Sequence, residues 1–507
     1  MSQLIVIGGG ISGLAAAALL AREGHNVTVL EGRPAVGGRA GSWQHGDFRF
    51  DTGPSWYLMP EVFDHFYRLL GTTADEQLRL VTLDPGYRVY FEGVTEPVDV
   101  SASRDENLEL FESIEPGAGA RLDQYLESAR ETYELAKAKF LYTTFADPRD
   151  VLSRWGKFAR PLWALVAGTV KNPRLRQILG HPVMLLGSSP YLAPSWYRLL
   201  SHLHLADGVL YPMGGVARVV ESIADLARAA GVSIITGASV TRIVVENGAA
   251  TGVEYVDRNR EVQFLDAQIV VSASDLHHTE TELLNSENQT YPESYWKKKL
   301  PAAGALLLYL GVAGELPQLE HHTLLFTRDW KKGFDAIFAD RRAVPLPTSL
   351  YICKPSGVDP DVAAEGFENL VVFVPIPADP AIGRGDLDGD GDTRIEILAD
   401  KVIEQIARWT GVEDLASRVT VRRTVGPGNF ADELNSWRGT AFGPAPTRGP
   451  RGLFRAGNVS KKVAGLYYVG GSTIPGIGLP TCLISAEMLV KRLRGDTSSG
   501  PLPEPTA

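Results

Sequence analysis

The chain opens on a continuous apolar run, Leu4-Ile5-Val6-Ile7, of the kind that forms a parallel strand covered on both faces. Gly8-Gly9-Gly10-Ile11-Ser12-Gly13 follows without a break, Ala15 to Ala21 then supplies an uncharged helix, and His25 to Leu30 reads as a second strand ending at Glu31. Near the far end, Gly465-Leu466-Tyr467-Tyr468-Val469 predicts another strand, running into the glycine- and proline-rich turn Gly470 to Pro480. A helix follows, with Leu483, Ala486 and Val490 at helical spacing and Lys491, Arg492 and Arg494 at its end, opposing the negative pole of the dipole. In the middle third, Tyr211-Pro212-Met213-Gly214-Gly215 precedes a helix to about Ala230. Val232 to Val245 alternates like a strand pair, and Ile269 to Asp275 is a strand ending at a polar turn.

The first 21 residues carry no charge, which a signal peptide or a membrane span would also require. They lack a basic start, however, and Arg22 and Glu23 arrive where a soluble helix ends. A buried strand and helix is the better reading. The longest other uncharged apolar stretch, Leu300 to Gly314, is shorter than the roughly 20 residues a span needs. No transmembrane helix is predicted.

The glycine spacing has a chemical meaning. Gly8 permits a tight turn, Gly10 lets a pyrophosphate approach the backbone, Gly13 lets the helix pack on the strand, and the phosphate sits on the helix N-terminus. Glu31, about 20 residues on, can accept hydrogen bonds from both hydroxyls of an adenosine ribose and repels a 2′-phosphate. A second glycine turn, Gly32-Arg33-Pro34-Ala35-Val36-Gly37-Gly38-Arg39, places a basic residue within reach of the same phosphates.

With that turn the chain resembles the flavin-binding amine oxidase and carotenoid desaturase superfamily, whose members carry a Glu-x5-Gly-Gly-Arg turn followed by an Asp-x-Gly segment. Here that segment is Asp51-Thr52-Gly53-Pro54-Ser55. The resemblance implies FAD, held by Gly8, Gly10, Ser12, Gly13, Glu31, Gly37, Gly38 and Arg39, with Val240 holding the adenine end through its backbone. It also implies that the segment containing Gly471 and Leu479 closes over the flavin, its helix start facing the ring where negative charge accumulates on reduction. The implied fold is α/β, a discontinuous Rossmann-like FAD-binding domain (residues 1–75, 212–290 and 426–495) with an inserted mixed α+β substrate domain (76–211 and 291–425) and a flexible tail, 496–507. No second G-x-G-x-x-G motif follows a strand, so the expected electron acceptor is oxygen or a quinone, without NADPH.

Further strings resemble bacterial phytoene desaturases: Asn172-Pro173-Arg174-Leu175-Arg176-Gln177, Gly208 to Gly215, Ser274 to Thr279, Gly439 to Gly443 and Pro475 to Pro480. Many relatives have Asp at position 172 and Asn at position 274. This resemblance implies loss of an allylic hydride from a long carotene to the flavin, turning phytoene into lycopene or a related carotene. Arg174 and Arg176 are the candidates beside the reacting centre, although a solvated basic loop is the plainer reading of both. A carotenoid ketolase, a diapocarotenoid desaturase, a carotenoid saturase and a non-enzymatic isoprenoid-binding escort remain open.

Charge changes the picture in two places. A net charge of −10 argues against a nucleic-acid partner. The exception is residues 149 to 177, where Arg149, Arg154, Lys157, Arg160, Lys171, Arg174 and Arg176 alternate with Trp155, Phe158, Leu162 and Trp163. This segment is the expected contact with a membrane surface, making the protein cytoplasmic and peripherally bound. Two cysteines, Cys353 and Cys482, make no disulfide framework, and the pairs His202/His204, His277/His278 and His321/His322 lack metal-ligand spacing. Asp386 to Asp392 resembles the start of a calcium loop, but position twelve is Ile397, so an acidic turn is expected and no metal.

Overall fold

Leu4 to Ile7 are buried on both sides because the strand Gln3–Ile7 is the centre of a five-stranded parallel sheet. Its order is Leu466–Tyr468, Ile269–Ser272, Gln3–Ile7, Asn26–Glu31, Ser233–Thr236. The computed structural model describes residues 2–144, 160–339, 342–447 and 455–505. The helix Ile11–Arg22 is buried from Ile11 to Leu20, packed between the strand it follows and the helices Gly215–Ala229 and Leu479–Leu493. It has no wet face to charge, which is why its sequence is apolar up to Arg22. Among the described residues no helix is long and apolar enough to cross a membrane.

The alternating stretch expected as a strand pair forms two strands that do not pair with each other. Ser233–Thr236 joins the parallel sheet, whereas Ser239–Glu246 pairs antiparallel with Ala249–Val256 in a separate three-stranded sheet closed by Val262–Asp266. The reason is the turn between them: Gly237 takes φ +68° and the Ala238 N–H donates to the Glu31 carbonyl, 2.9 Å, so the chain crosses the end of Asn26–Glu31 instead of folding back.

A second sheet of seven strands runs Val419–Val425, Gly304–Ala313, Phe367–Ile376, Leu350–Cys353, His322–Phe326, Tyr87–Phe91, Val98–Val100. Every pairing is antiparallel except that of His322–Phe326 with Tyr87–Phe91. The apolar stretch read between Leu300 and Gly314 is the strand Gly304–Ala313. Ala305, Leu307 and Tyr309 point into one core, and Leu306, Leu308 and Leu310 into another beneath the helix Thr393–Thr410. Both faces being covered, the run shows no polar alternation.

The C-terminal segment expected to be a flexible tail packs on the body instead. Leu502 is buried against the helical layer of the parallel sheet, and its N–H donates to Glu487. Lys491, expected at the helix end opposing the dipole, is fully buried there. Its ammonium donates to the carbonyls of Tyr142 (3.0 Å), Ser498 (2.8 Å) and Gly500, three acceptors that replace its water.

Glu487 and Glu504 also hold His65 between them, at 3.2 and 3.0 Å. Burial draws the His65 pKa down, but the hydrogen bonds and charges of the two carboxylates outweigh it and the net direction is upward. A group raised on folding stabilises the fold below its unfolded pKa, about 6.5, and that stability is lost as pH climbs through the raised value. His65→Ala therefore lowers Tm most near pH 6, and the gap to wild type narrows by pH 9. A gap that stays constant across this range contradicts the linkage.

Candidate functional site

Gly13 decides how close the first helix comes to the sheet: a Cβ there would lie 2.0 Å from the Gly8 carbonyl oxygen and 3.1 Å from the Ala273 Cβ. Gly10 caps the helix without any side-chain hydrogen bond, and a Cβ on it would meet no atom nearer than the Gly38 Cα at 4.0 Å. The helix thus begins with free N–H groups and the positive end of its dipole turned to open space. The second turn lies directly against the first. The Gly37 N–H donates to the Gly9 carbonyl at 2.9 Å, and a Cβ on Gly38 would sit 3.3 Å from the Gly10 Cα.

Glu31 joins the two turns. Its buried carboxylate accepts the Gly9 N–H at 2.7 Å and the Arg33 N–H at 2.8 Å, one on each oxygen. A carboxylate offers about four acceptor positions, so each oxygen retains one for a ribose hydroxyl. Val240 is the second residue of the strand Ser239–Glu246, two residues beyond Ala238, whose N–H donates to the Glu31 carbonyl, and a Cβ on Gly32 would lie 3.0 Å from the Ser239 Oγ. That places Val240 at the ribose end of the cradle.

Arg39 donates to Ser436 and lies 3.9 Å from Asp275, while its Nε is buried without a hydrogen-bond partner. An orphaned guanidinium N–H beside an uncapped helix start suits a phosphate. Gly53 packs beneath it so tightly that a Cβ would come within 1.9 Å of the Arg39 carbonyl. Asp51 caps the helix Gly215–Ala229 through the N–H groups of Val216 and Ala217, and burial pushes its pKa up to about 6 against those bonds.

The two chain ends meet at this cradle. Gly470 approaches Ser12 so that a Cβ would stand 3.3 Å from the Ser12 Oγ. The helix Leu479–Leu493 begins with Leu479 buried and no side-chain cap at Gly478. The Gly471 carbonyl accepts from Arg455 at 2.9 Å. Sequence reading missed Arg455, Asp275 and Asn458. Asn458 is fully buried and donates to the carbonyls of Tyr468 and Ile474, both at 3.2 Å, holding the closing turn. Asp275 lies at the end of the strand read from Ile269 and in the string Ser274 to Thr279, where it was given no role, and neither Arg455 nor Asn458 sits in a periodic string that could have marked it.

Arg174 and Arg176 fall elsewhere. Arg176 donates to the carbonyls of Val170 (2.8 Å) and Ala167, clasping the end of the helix Leu162–Thr169, and Arg174 lies 5.8 Å over the Phe91 ring. Neither hydrogen-bonds to the glycine turns among the described residues. Asn172 caps the helix Pro173–Gly180 by accepting the Arg174 N–H. Strand pairing brings Cys353 opposite His322, so that donor atoms of His321, His322 and Cys353 lie within 4.8 Å. Burial pushes the Cys353 thiol up to about 12 and, with Lys354 adding to it, draws His321 down to about 3.

A Rossmann cradle with a carboxylate at the ribose position, a second glycine turn and an arginine whose buried Nε has no partner fits FAD and defines the class: an FAD-dependent oxidoreductase. The sequence matches the flavin containing amine oxidoreductase family over residues 11–493. It is 37% identical to the carotenoid 3,4-desaturase of Haloarcula japonica, covering 97% of this chain and 98% of that protein. With the zeta-carotene-forming phytoene desaturase of Myxococcus xanthus the identity is 34%, over 97% and 93%. An oxidoreductase structure from Methanosarcina mazei shares the fold at a TM-score of 0.62 and 18% identity, over 96% of this chain and all of that one. The chain belongs to the flavin-containing amine oxidoreductases and, within them, to the carotenoid desaturases.

Because a side chain at Gly10 meets open space and not protein, Gly10→Val folds with the wild-type Tm and purifies without flavin absorbance. Gly13→Ala, which overlaps a backbone oxygen, loses about 1–3 kcal/mol of stability or fails to fold. Wild-type flavin content in a folded Gly10→Val protein contradicts the assignment of this cradle.

Proposed function

We propose that the protein desaturates phytoene or a related carotene, drawn from a membrane surface, and passes the electrons to oxygen or a quinone. The observation that carries this reading is the full-length similarity to a carotenoid 3,4-desaturase and a phytoene desaturase, which spans the substrate-domain sheet as well as the cradle. Bound FAD supplies a two-electron acceptor for the hydride of an allylic C–H. The substrate carbon left behind is an allylic cation. Its neighbouring carbon then releases a proton and the new C=C forms, so no strong base is required.

The protein's contribution is position and dryness. Ser55 and Trp56 continue directly from Gly53, which is packed on Arg39, into the core between the seven-stranded sheet and its helices. That core holds Phe326, Trp330 and Tyr87, and its histidines are kept neutral by burial. A hydrocarbon led along such a wall meets rings and not charges.

Membrane contact is proposed for residues 149–177 on their basic and aromatic composition. Trp155 and Phe158 lie outside the described residues. Trp163 packs inward, 4.7 Å from Tyr191 and 6.4 Å from Trp330, which makes it part of the core wall and not a surface anchor.

In a liposome assay with phytoene and purified, flavin-loaded protein, desaturation proceeds under air or with a quinone and without NADPH; strict dependence on NADPH overturns the proposed acceptor. Trp155→Ser combined with Phe158→Ser abolishes flotation with anionic liposomes while flavin is retained. Trp163→Ser lowers Tm by several degrees with flotation intact. Undiminished flotation of the folded double variant contradicts the membrane segment.

A further inference from the structure

His321 and His322 are neighbours in the chain, and a third donor that would make a metal site of them comes only from the sheet. His322 and Cys353 are partners in the antiparallel pairing of His322–Phe326 with Leu350–Cys353, so their side chains stand on one face. The Lys354 N–H donates to the His321 carbonyl at 2.8 Å, which fixes the backbone of the first histidine against the same strand end. Donor atoms of His321, His322 and Cys353 lie within 4.8 Å of one another, and the three residues are 5%, 0% and 1% exposed.

The two imidazoles have atoms to spare. Both nitrogens of His321 and the Nε2 of His322 are buried with no hydrogen-bond partner among the described residues. Each carries a desolvation cost that a bound ion would remove. The other nitrogen of His322 is engaged: Nδ1 lies 2.7 Å from the Tyr351 hydroxyl, which is itself 2.7 Å from the Ser55 Oγ. With Tyr351 donating to Ser55 and accepting the Nδ1 proton, the His322 Nε2 keeps a free lone pair. A hydrogen bond of this kind, on the nitrogen that does not ligate, orients a metal-binding histidine and sets its tautomer.

The donor set selects the ion. One sulfur and two imidazoles suit zinc, whereas calcium and magnesium take oxygen ligands. Zinc holds nitrogen at about 2.0–2.1 Å and sulfur at about 2.3 Å, so the three donors close in by about 1 Å around it. The surrounding charge is also favourable. Lys354 is paired with the Leu316 carbonyl at 3.0 Å and with Glu368 at 3.5 Å. Tyr211, whose ring lies 4.5 Å from His321, donates to the buried Asp359 at 3.0 Å. Two carboxylates therefore stand against one ammonium, and a thiolate adds a further negative charge.

We propose that His321, His322 and Cys353 bind a zinc ion, with water completing its tetrahedron. On binding, the Cys353 thiol releases its proton to solvent and the sulfur bonds the ion as thiolate, with nothing oxidised or reduced. The ion ties the start of one strand to the end of its neighbour. Trp56, 4.1 Å from the His322 ring, and Ser55 are thereby held in place where the chain leaves Gly53 for the core.

The test uses the flavin-loaded full-length protein without an affinity tag, produced in zinc-supplemented medium, with metal content measured after gel filtration. Stoichiometric zinc is expected, and it is lost in Cys353→Ser and in His321→Gln. Chelation lowers Tm by several degrees with flavin content unchanged, and added zinc restores it. Cobalt(II) in place of zinc gives a sulfur-to-metal charge-transfer band, absent in Cys353→Ser, and ligand-field bands to the red of flavin absorption. Tyr351→Phe, which serves if the ligand variants do not fold, retains the site with zinc affinity lowered by about 10–100-fold. Protein that neither contains zinc nor takes it up overturns the proposal. So does a cobalt spectrum without the sulfur band, or zinc that persists in the Cys353→Ser/His321→Gln double variant and is therefore held elsewhere.

Discussion

The two glycine turns lie in contact because Gly38 carries no side chain on the side that faces Gly10, and that meeting is the constraint around which this molecule is arranged. A Cβ on Gly38 would crowd the Gly10 backbone, and one on Gly13 would overlap the Gly8 oxygen. With glycine at each place the first helix closes on its strand, its N-terminus stays uncapped, and Glu31 ties both turns through one N–H from each. The other contacts of the cradle depend on that geometry: Gly53 under Arg39, Ser12 against Gly470, and the C-terminal helix packed on the first.

Polarity is partitioned between the two halves of the molecule. The cradle presents a helix dipole and a guanidinium, which suit a charged dinucleotide. The core between the seven-stranded sheet and its helices presents rings whose histidines are held neutral by burial, an apolar lining. The Asp51–Trp56 segment runs from one to the other, with its carboxylate capping the helix Gly215–Ala229 and its tryptophan stacked among the histidines of the seven-stranded sheet's core.

At the opposite end of the chain the same economy of buried charge recurs. Lys491 and Glu487, one turn apart on the C-terminal helix, both face inward, one bonded to carbonyls of the terminal segment and the other to the Leu502 N–H and His65. A charge sequestered from water persists only with several partners. Here the last described residues supply them, so the segment after the helix is part of the body.

What the sequence by itself determined is what depends on neighbours in the chain: the strand–turn–helix around Gly8 to Gly13, the second turn at Gly37 to Arg39, the C-terminal strand and helix, and hence the flavin class. These are legible because a glycine's freedom and an apolar run act over a few residues. Whether Val232 to Val245 would fold back or cross to another sheet was not legible, since the bond from Ala238 to Glu31 joins positions about two hundred residues apart in the chain's path. Nor was the inward turn of Lys491, or the role of Arg176 as a clasp on a helix end. Cys353 and His322 are ordinary residues until a strand register sets them opposite each other, and four scattered histidines become a nest only when three elements converge on Trp56. Local pattern specifies elements and the cradle they form; burial and partnership are properties of the packed whole, because water is excluded by many segments at once and by none of them alone.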